Sequence, residues 1–368
     1  MMKPISLLVF AAGAVLTVTT PSRGATEIKV RIPASYRSWQ FSEADTTVTA
    51  SQWVAPVVIS LGLTRSVDLL LQGAVQTGKR DAVESSNLSG ATDARAALRW
   101  GSSGGRLQLQ AGLNIPTGTR ELDEEQQRVS IALAPPFLGY RVRQTGKGLD
   151  VGGGVTCAFP LSDGWALGVG GSYLHRGSFR AVKGAAEIRP GGEVTASAGV
   201  SGELAGLGVR VDGTRRIYAE DGGEGSNYKE PAVWEGSMAA GNAGRVWGFD
   251  VALLLSHKEE PETGSSPYSG NYLGGSGEIR HSLGSGVQIG VAGEVVRFRS
   301  TEIEGVSFAS TTGGVGPSLV LSFGEGTRVE GRLKRLMGTL DPGNGDSQSI
   351  DGWDAVVALS LTGGSQDR

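Results

Sequence analysis

Large and minimal side chains alternate along "GWALGVGGSYLHRG", residues 164–177. Trp165, Leu167 and Val169 share one parity, and Ala166, Gly168 and Gly170 the other. Tyr173 and His175 continue the Trp165 parity. Successive side chains of a strand point to opposite faces, so one face here is bulky and apolar and the other nearly bare. A soluble sheet buries one face and charges the other. A bare face opposite a bulky one suits a strand with lipid outside and an unpacked lumen inside.

The same period recurs along the chain. In "DARAALRW" (93–100), Ala94, Ala96, Leu98 and Trp100 oppose Asp93, Arg95 and Arg99. In "RLQLQAGLNI" (106–115), Leu107, Leu109, Leu113 and Ile115 oppose Gln108, Gln110 and Asn114. "VQIGVAGEVVRF" sets Val291 and Val295 against Glu294, and "RVEGRLK" sets Val329 and Leu333 against Glu330, Arg332 and Lys334. "WDAVVALSL" sets Trp353, Val357 and Leu361 against Asp354, Ala358 and Ser360.

Short turns fall at 62–65, 101–105, 161–164, 205–206, 242–245, 283–286 and 324–327. Longer polar segments fall at 78–92, 117–149, 178–191, 218–231, 258–270, 300–311 and 339–350. Two-strand units therefore begin near 27, 66, 105, 165, 206, 245, 286 and 327. The pattern predicts an all-β fold, a single transmembrane antiparallel up-and-down β-barrel of about 16 strands of about ten residues each. Pro33 weakens the first unit, so 14 strands is an alternative and 12 a further one. Strand ladders are weakest at Pro33 and Pro317, which cannot donate a hydrogen bond.

Tyr36, Trp53, Trp100, Trp165, Tyr173, Trp234, Trp247, Tyr272 and Trp353 lie near strand ends. Amphipathic rings favour the headgroup level, which predicts two aromatic girdles; the alternative is the core of a soluble sheet. No run of 18 apolar residues follows the N-terminal stretch, and "WVAPVVISLGL" (53–63) is too short for a spanning helix.

Glycine supplies 59 of 368 residues, against an average usage of about 7%. No G-X-Y period accompanies it, which excludes collagen. A net charge of −3 argues against a nucleic-acid binder, which needs a basic face, so no nucleic-acid partner is expected. Lys3, the apolar run Ile5 to Val18 and "SRGA" read as a signal peptide, residues 1–24, cleaved after Gly24; an uncleaved anchor is the alternative. Residues 25–368 are then the barrel. The expected location is the cell outer membrane of a Gram-negative bacterium. The expected partners are outer-membrane lipid, the barrel-assembly machinery and a small-molecule solute. Cys157 is the single cysteine and shares parity with Val155 and Phe159, which makes it a small apolar packing residue.

"VDLLLQGAVQTG", "SGATDARAALRW" and "LQLQAGLNIPTG" together resemble the outer-membrane barrel family associated with the meta-cleavage pathway of phenol degradation. "GKGLDVGGGVTCAFPLSDGWALGVGGSYLHRG" is similar to that family's next hairpin. The likeness covers roughly residues 50–180 and rests on turns and strand starts, here Asp93, Pro116, Thr117 and Gly118. It implies a periplasm-to-outside barrel that transports small molecules, with aromatic or other apolar compounds as the finer expectation, and it lends no catalytic residues. Such barrels usually finish on an aromatic residue, whereas this chain finishes "LSLTGGSQDR".

No phosphate-binding loop and no Cys/His metal spacing occurs, and His175, His257 and His281 lie near strand ends. No catalytic, cofactor-binding or metal residue is nominated; no cofactor and no enzyme activity are expected. The lumen lining expected from parity is Asp93, Arg95, Arg99, Gln108, Gln110, Arg210, Glu294, Glu330, Arg332 and Lys334. These charges either line a weakly selective aqueous path or pair with one another in a plugged lumen.

The stretch "TRELDEEQQRVSIALAPP" spaces Leu122, Gln126, Val129 and Leu133 at helical intervals. Thr119 offers an N-cap and Pro135–Pro136 a stop, predicting a loop helix near 120–134. That helix either constricts the barrel mouth or packs on its outer rim. The expected function is a passive outer-membrane channel or transporter for small molecules, apolar ones if the resemblance holds. The alternatives are a non-conducting structural or surface-interaction barrel and, third, a barrel hydrolase.

Overall fold

The structure is a computed structural model. It describes residues 27–43, 46–141, 146–222, 228–242, 244, 246–261, 269–301, 308–324, 326–341, 343 and 347–364. The expected signal peptide lies outside the described residues.

The chain begins with β1 (Glu27–Glu43), β2 (Thr46–Gly62), β3 (Val67–Asp81), β4 (Ser85–Ala91), β5 (Ala94–Gly101) and β6 (Leu107–Ile115). Helix α1 (Glu124–Leu133) and a single 3-10 turn (Pro136–Leu138) follow. Next come β7 (Asp150–Ser162), β8 (Trp165–His175), β9 (Glu193–Leu204), β10 (Leu207–Tyr218), β11 (Val233–Asn242) and β12 (Trp247–Lys258). The chain closes with β13 (Gly270–Gly284), β14 (Val287–Ser300), β15 (Ala309–Phe323), β16 (Thr327–Asp341) and β17 (Gln348–Gly364). Apart from β4 and β5, each strand pairs antiparallel with its sequence neighbour, and β17 returns to β1 from Glu27↔Gly364 to Gln40↔Asp351. Among the described residues no sheet edge remains open, as hydrocarbon surroundings demand.

β4 and β5 are two halves of one strand, since both pair with β3. The break falls at Thr92–Asp93, so the described residues form a closed barrel of 16 strands. The eight expected units begin at 27, 67, 107, 165, 207, 247, 287 and 327, each within two residues of the sequence reading. One expected loop is corrected. Residues 78–92 are mostly the β3–β4 hairpin, turning at 82–84. They are polar because that hairpin stands beyond the apolar band, where a strand needs no greasy face; Lys79–Asp81 (2.7 Å) and Ser85–Asp81 (2.7 Å) tie it together.

Strand length is uneven. β13–β17 and β1–β3 run to 14–17 residues, whereas β5–β12 have 8–13. The about ten residues expected for every strand therefore hold for one side only. The other side rises as a taller wall at the end that carries the long loops.

Parity is as expected on most strands. Leu98, Trp100, Val151, Val155, Phe159, Val291, Val295 and Val357 are exposed on the outer face. Trp100, Trp165 and Trp247 sit on the short-turn half, and Trp53, Tyr173, Trp234 and Trp353 on the long-loop half. Arg215 lies over Trp234 (4.5 Å) and Arg335 over Trp353 (4.9 Å), an outward pairing of charge and ring suited to a headgroup level. Tyr272 is a correction: it shares the inward parity of Glu278 and packs against the apolar cluster inside the barrel.

Candidate functional site

That inner cluster is built by the segment between β6 and β7. From the tall wall it takes Trp39, Ala50, Leu88, Phe298, Leu336 and Ile350, all on inward parity. From the segment it takes Leu122, Val129, Leu133, Phe137, Leu138 and Tyr140. β6 and β7 stand opposite β14 and β15 in the closed strand order. The segment therefore crosses the barrel: α1 lies against β2–β4, and the 3-10 turn reaches β14 and β15. The segment's apolar residues meet inward-facing residues of the wall, so it packs on the inner side of the barrel.

Local chemistry fixes the helix. Asp123, not Thr119, is the N-cap: its carboxylate accepts from the Gln126 N–H (2.9 Å), and the Gln126 side chain accepts from the Asp123 N–H (3.1 Å). Gln126 thus completes the capping box of the helix. Asp123 wins because acids at Glu124 and Glu125 then fall in the first turn, beside the positive end of the helix dipole. Pro135 and Pro136 end the helix as expected. Val129 and Leu133 are fully buried on the wall-facing side. Gly78 on β3 makes room for them, since a Cβ there would stand 2.7 Å from Leu133. Leu122 is buried too, but it bridges to Val182 in the β8–β9 loop.

The 3-10 turn is held by polar groups of the wall. Trp39 Nε1 donates to the Leu138 carbonyl (2.8 Å), and Thr312 Oγ1 donates to the Phe137 carbonyl (3.1 Å). The Tyr140 hydroxyl donates to the Ala50 carbonyl, and burial pushes its pKa up, which keeps that donor protonated. Phe137 stacks on Phe298 at 5.9 Å and lies tilted against Phe308 at 5.1 Å. Gly139 follows with φ 67, and a Cβ there would collide with the Arg37 guanidinium.

Arg37 joins this segment to a charged ring. It donates to the Leu138 carbonyl (3.2 Å), to Asp354 (3.0 Å) and to Glu294 (2.7 Å). Lys334 pairs with both Asp354 (2.9 Å) and Glu294. Two cations and two carboxylates thus alternate across β1, β17, β16 and β14. On the intervening β15, Gly314 and Gly316 present no side chain, so Lys334 reaches over that strand.

Asp93 holds the roots of the segment. Its carboxylate accepts from the N–H groups of Gly118 (2.9 Å) and Lys147 (2.6 Å) and from the Asn114 amide (3.0 Å). Thr117 Oγ1 accepts from the Ala94 N–H (2.9 Å). Asp93 therefore fastens the chain at the strand break. The strand-start and Pro-Thr-Gly residues quoted for the resemblance are brought together by these bonds.

Beside the crossing segment lies a cavity of about 900 Å³ along the inner face of β9–β14, β16 and β17. Six cations line it, Arg37, Arg141, Arg210, Arg280, Arg332 and Lys334, against four carboxylates, Asp250, Glu278, Glu294 and Asp354. Arg210, Glu294, Arg332 and Lys334 were expected from parity. Arg210 pairs with Asp212 (2.5 Å) and Arg332 with Glu278 (2.8 Å). Glu330 pairs with Arg328 (2.8 Å) on the same inward face. Arg95 and Arg99 on β5 and Gln108 and Gln110 on β6 share the inward parity but stand outside this cavity. Arg37 and Arg141 were not foreseen, and Asp354 was read only as part of the polar face of its strand. Bare positions complete the lumen, with Gly152, Gly154, Gly168 and Gly170 on the inner faces of β7 and β8.

No protein-family profile matches the chain, and no curated protein matches it, so the resemblance of residues 50–180 gains no further support. Solved structures of similar shape include Pseudomonas putida OprB at low pH (9% identity, 92% of this chain, 93% of that chain, TM-score 0.46). Acinetobacter baumannii OccAB3 aligns at 11% identity over 92% of this chain and 99% of its own, with TM-score 0.46. A bacterial polysaccharide outer-membrane secretin aligns at 13% identity over 91% and 97%, also at 0.46. At these values the likeness extends no further than a large antiparallel barrel, which the strand ladder already establishes.

Proposed function

We propose that this chain is a passive outer-membrane channel for small solutes, in which the inward segment narrows the path. The observation that carries the reading is the mixed-charge cavity, enclosed by a closed barrel whose outer face is apolar. Burying ten ionisable groups is costly without water, which supports a hydrated lumen. Neither chemistry nor a cofactor is needed for passive passage. A small excess of cations gives the path a weak preference for anions. The apolar cargo implied by the resemblance is the finer part of this proposal.

The test is planar-bilayer conductance of the refolded chain starting at Ala25. Discrete current steps are expected. Silence from a β-rich, heat-modifiable preparation would refute the channel and favour a structural or surface-interaction barrel.

A further inference from the structure

The ladder between β1 and β2 has a gap. Pairing runs from Ile28↔Leu61 to Arg31↔Val58 and resumes at Ser35↔Val54. That register places Pro33 directly opposite Pro56. The interrupted pair is one in which each residue would donate to and accept from the other. With proline on both strands neither bond can form, and both carbonyls lack a donor across the seam. On their other sides the two strands are unbroken: Pro33 pairs with Ala358 of β17 and Pro56 with Ala74 of β3. The defect is therefore confined to one seam. Three residues on each strand lie between the flanking pairs, which leaves a window of about 13 Å, four residue steps, along the strand. Pro317, by contrast, interrupts pairing toward β16 only, with no proline opposite, and can cost a single bond.

The window opens onto lipid on one side and the channel on the other. Ile32, Ala34, Ala55 and Val57 have the outward parity of Tyr36 and Trp53, an aromatic pair just above them. Pro33 and Pro56 point inward, and Ser35 lies beside Val356, which lines the cavity together with Arg37. An ion leaving by this route would shed its hydration into hydrocarbon, whereas a neutral apolar molecule would not. We propose that the β1–β2 seam is a lateral exit by which small uncharged apolar or aromatic solutes pass from the lumen into the bilayer. This deepens the channel reading and rests on it for the entry of solute from the long-loop end.

Ala34 and Ala55 face each other across the seam on its lipid side, at a spacing a disulfide spans. The test is Ala34→Cys/Ala55→Cys in a Cys157→Ser background, in cells with a lipopolysaccharide outer leaflet. The readouts are fluorescence uptake of N-phenyl-1-naphthylamine and, on the purified protein, ion conductance. Oxidation should reduce dye uptake to the level of cells lacking the protein, leave conductance unchanged, and be reversed by dithiothreitol. Pro33→Val/Pro56→Thr, which restores both donors, should give the same loss without any thiol. Equal dye uptake in oxidised and reduced protein would overturn the exit. So would a parallel fall in dye uptake and conductance, which would place the dye in the ion path. A wild-type protein that conducts but admits no dye would refute the exit and leave the channel standing. A silent protein whose dye uptake still closes on oxidation would refute the ion channel and support the exit.

Discussion

The Arg37 guanidinium, on the first strand, donates to the carbonyl of Leu138, in the segment that crosses from the far wall, at 3.2 Å. The same side chain binds Asp354 and Glu294, so one residue ties the crossing segment to the charged ring of the lumen. Replacing Arg37 by Met leaves Lys334 as the remaining ion-pair partner of the two carboxylates among the described residues. Loss of one partner from a largely buried ion cluster costs about 3–5 kcal/mol. The R37M barrel should unfold at lower urea than wild type; an unchanged midpoint would show that water already screens the ring.

Gly139 lies against the same guanidinium, next to the Leu138 carbonyl to which that group donates. Its φ of 67 and the lack of room for a Cβ make any side chain there unfavourable. Gly139→Val should undock the 3-10 turn at a cost of about 1–3 kcal/mol and expose the segment to protease. Cleavage as slow as in wild type would contradict the packing described.

Leu133 is fully buried between α1 and Gly78. Leu133→Ala should weaken docking by about 2–5 kcal/mol through lost transfer energy and the cavity left behind. The effect belongs to the segment, not the barrel. Heat-modifiable mobility should persist while proteolysis within 117–149 accelerates.

Asp93 accepts the backbone donors of Gly118 and Lys147, which lie at opposite ends of the crossing segment. Asp93→Ala should raise amide hydrogen exchange at those two residues, with little change along β8–β12. Uniform exchange across the barrel would mean that Asp93 acts on the fold as a whole.

Arg141 and Arg332 contribute two of the six cations around the cavity. Arg141→Gln/Arg332→Gln leaves four cations against four carboxylates. The reversal potential in a KCl gradient should move toward cation preference, more so at low salt, where screening is weaker. A potential that does not move would place the ion path elsewhere in the lumen.

Much of the barrel was legible because lipid imposes a strict period on the strands it touches. Where that constraint lapses, reading from sequence fails. In "SYRSWQ", Tyr36 faces out and Trp39 in, so alternation of large residues hides Arg37 between them. Phe298, Leu336 and Ile350 lie on the parity expected for water, because the apolar face of the segment covers them. Hydrophobicity alone does not say which apolar surface a residue meets. Thr119 and Asp123 offer the same capping chemistry, and the acids that follow Asp123 decided between them. The opposition of Pro33 and Pro56 depends on register, which a single strand's sequence does not encode.

The most direct test of the central claim compares single-channel conductance of the intact barrel with that of a variant lacking residues 121–134. If the segment narrows an open charged lumen, both proteins give discrete steps and those of the deletion are larger. Equal steps would contradict a constriction, and silence from both would contradict the channel itself.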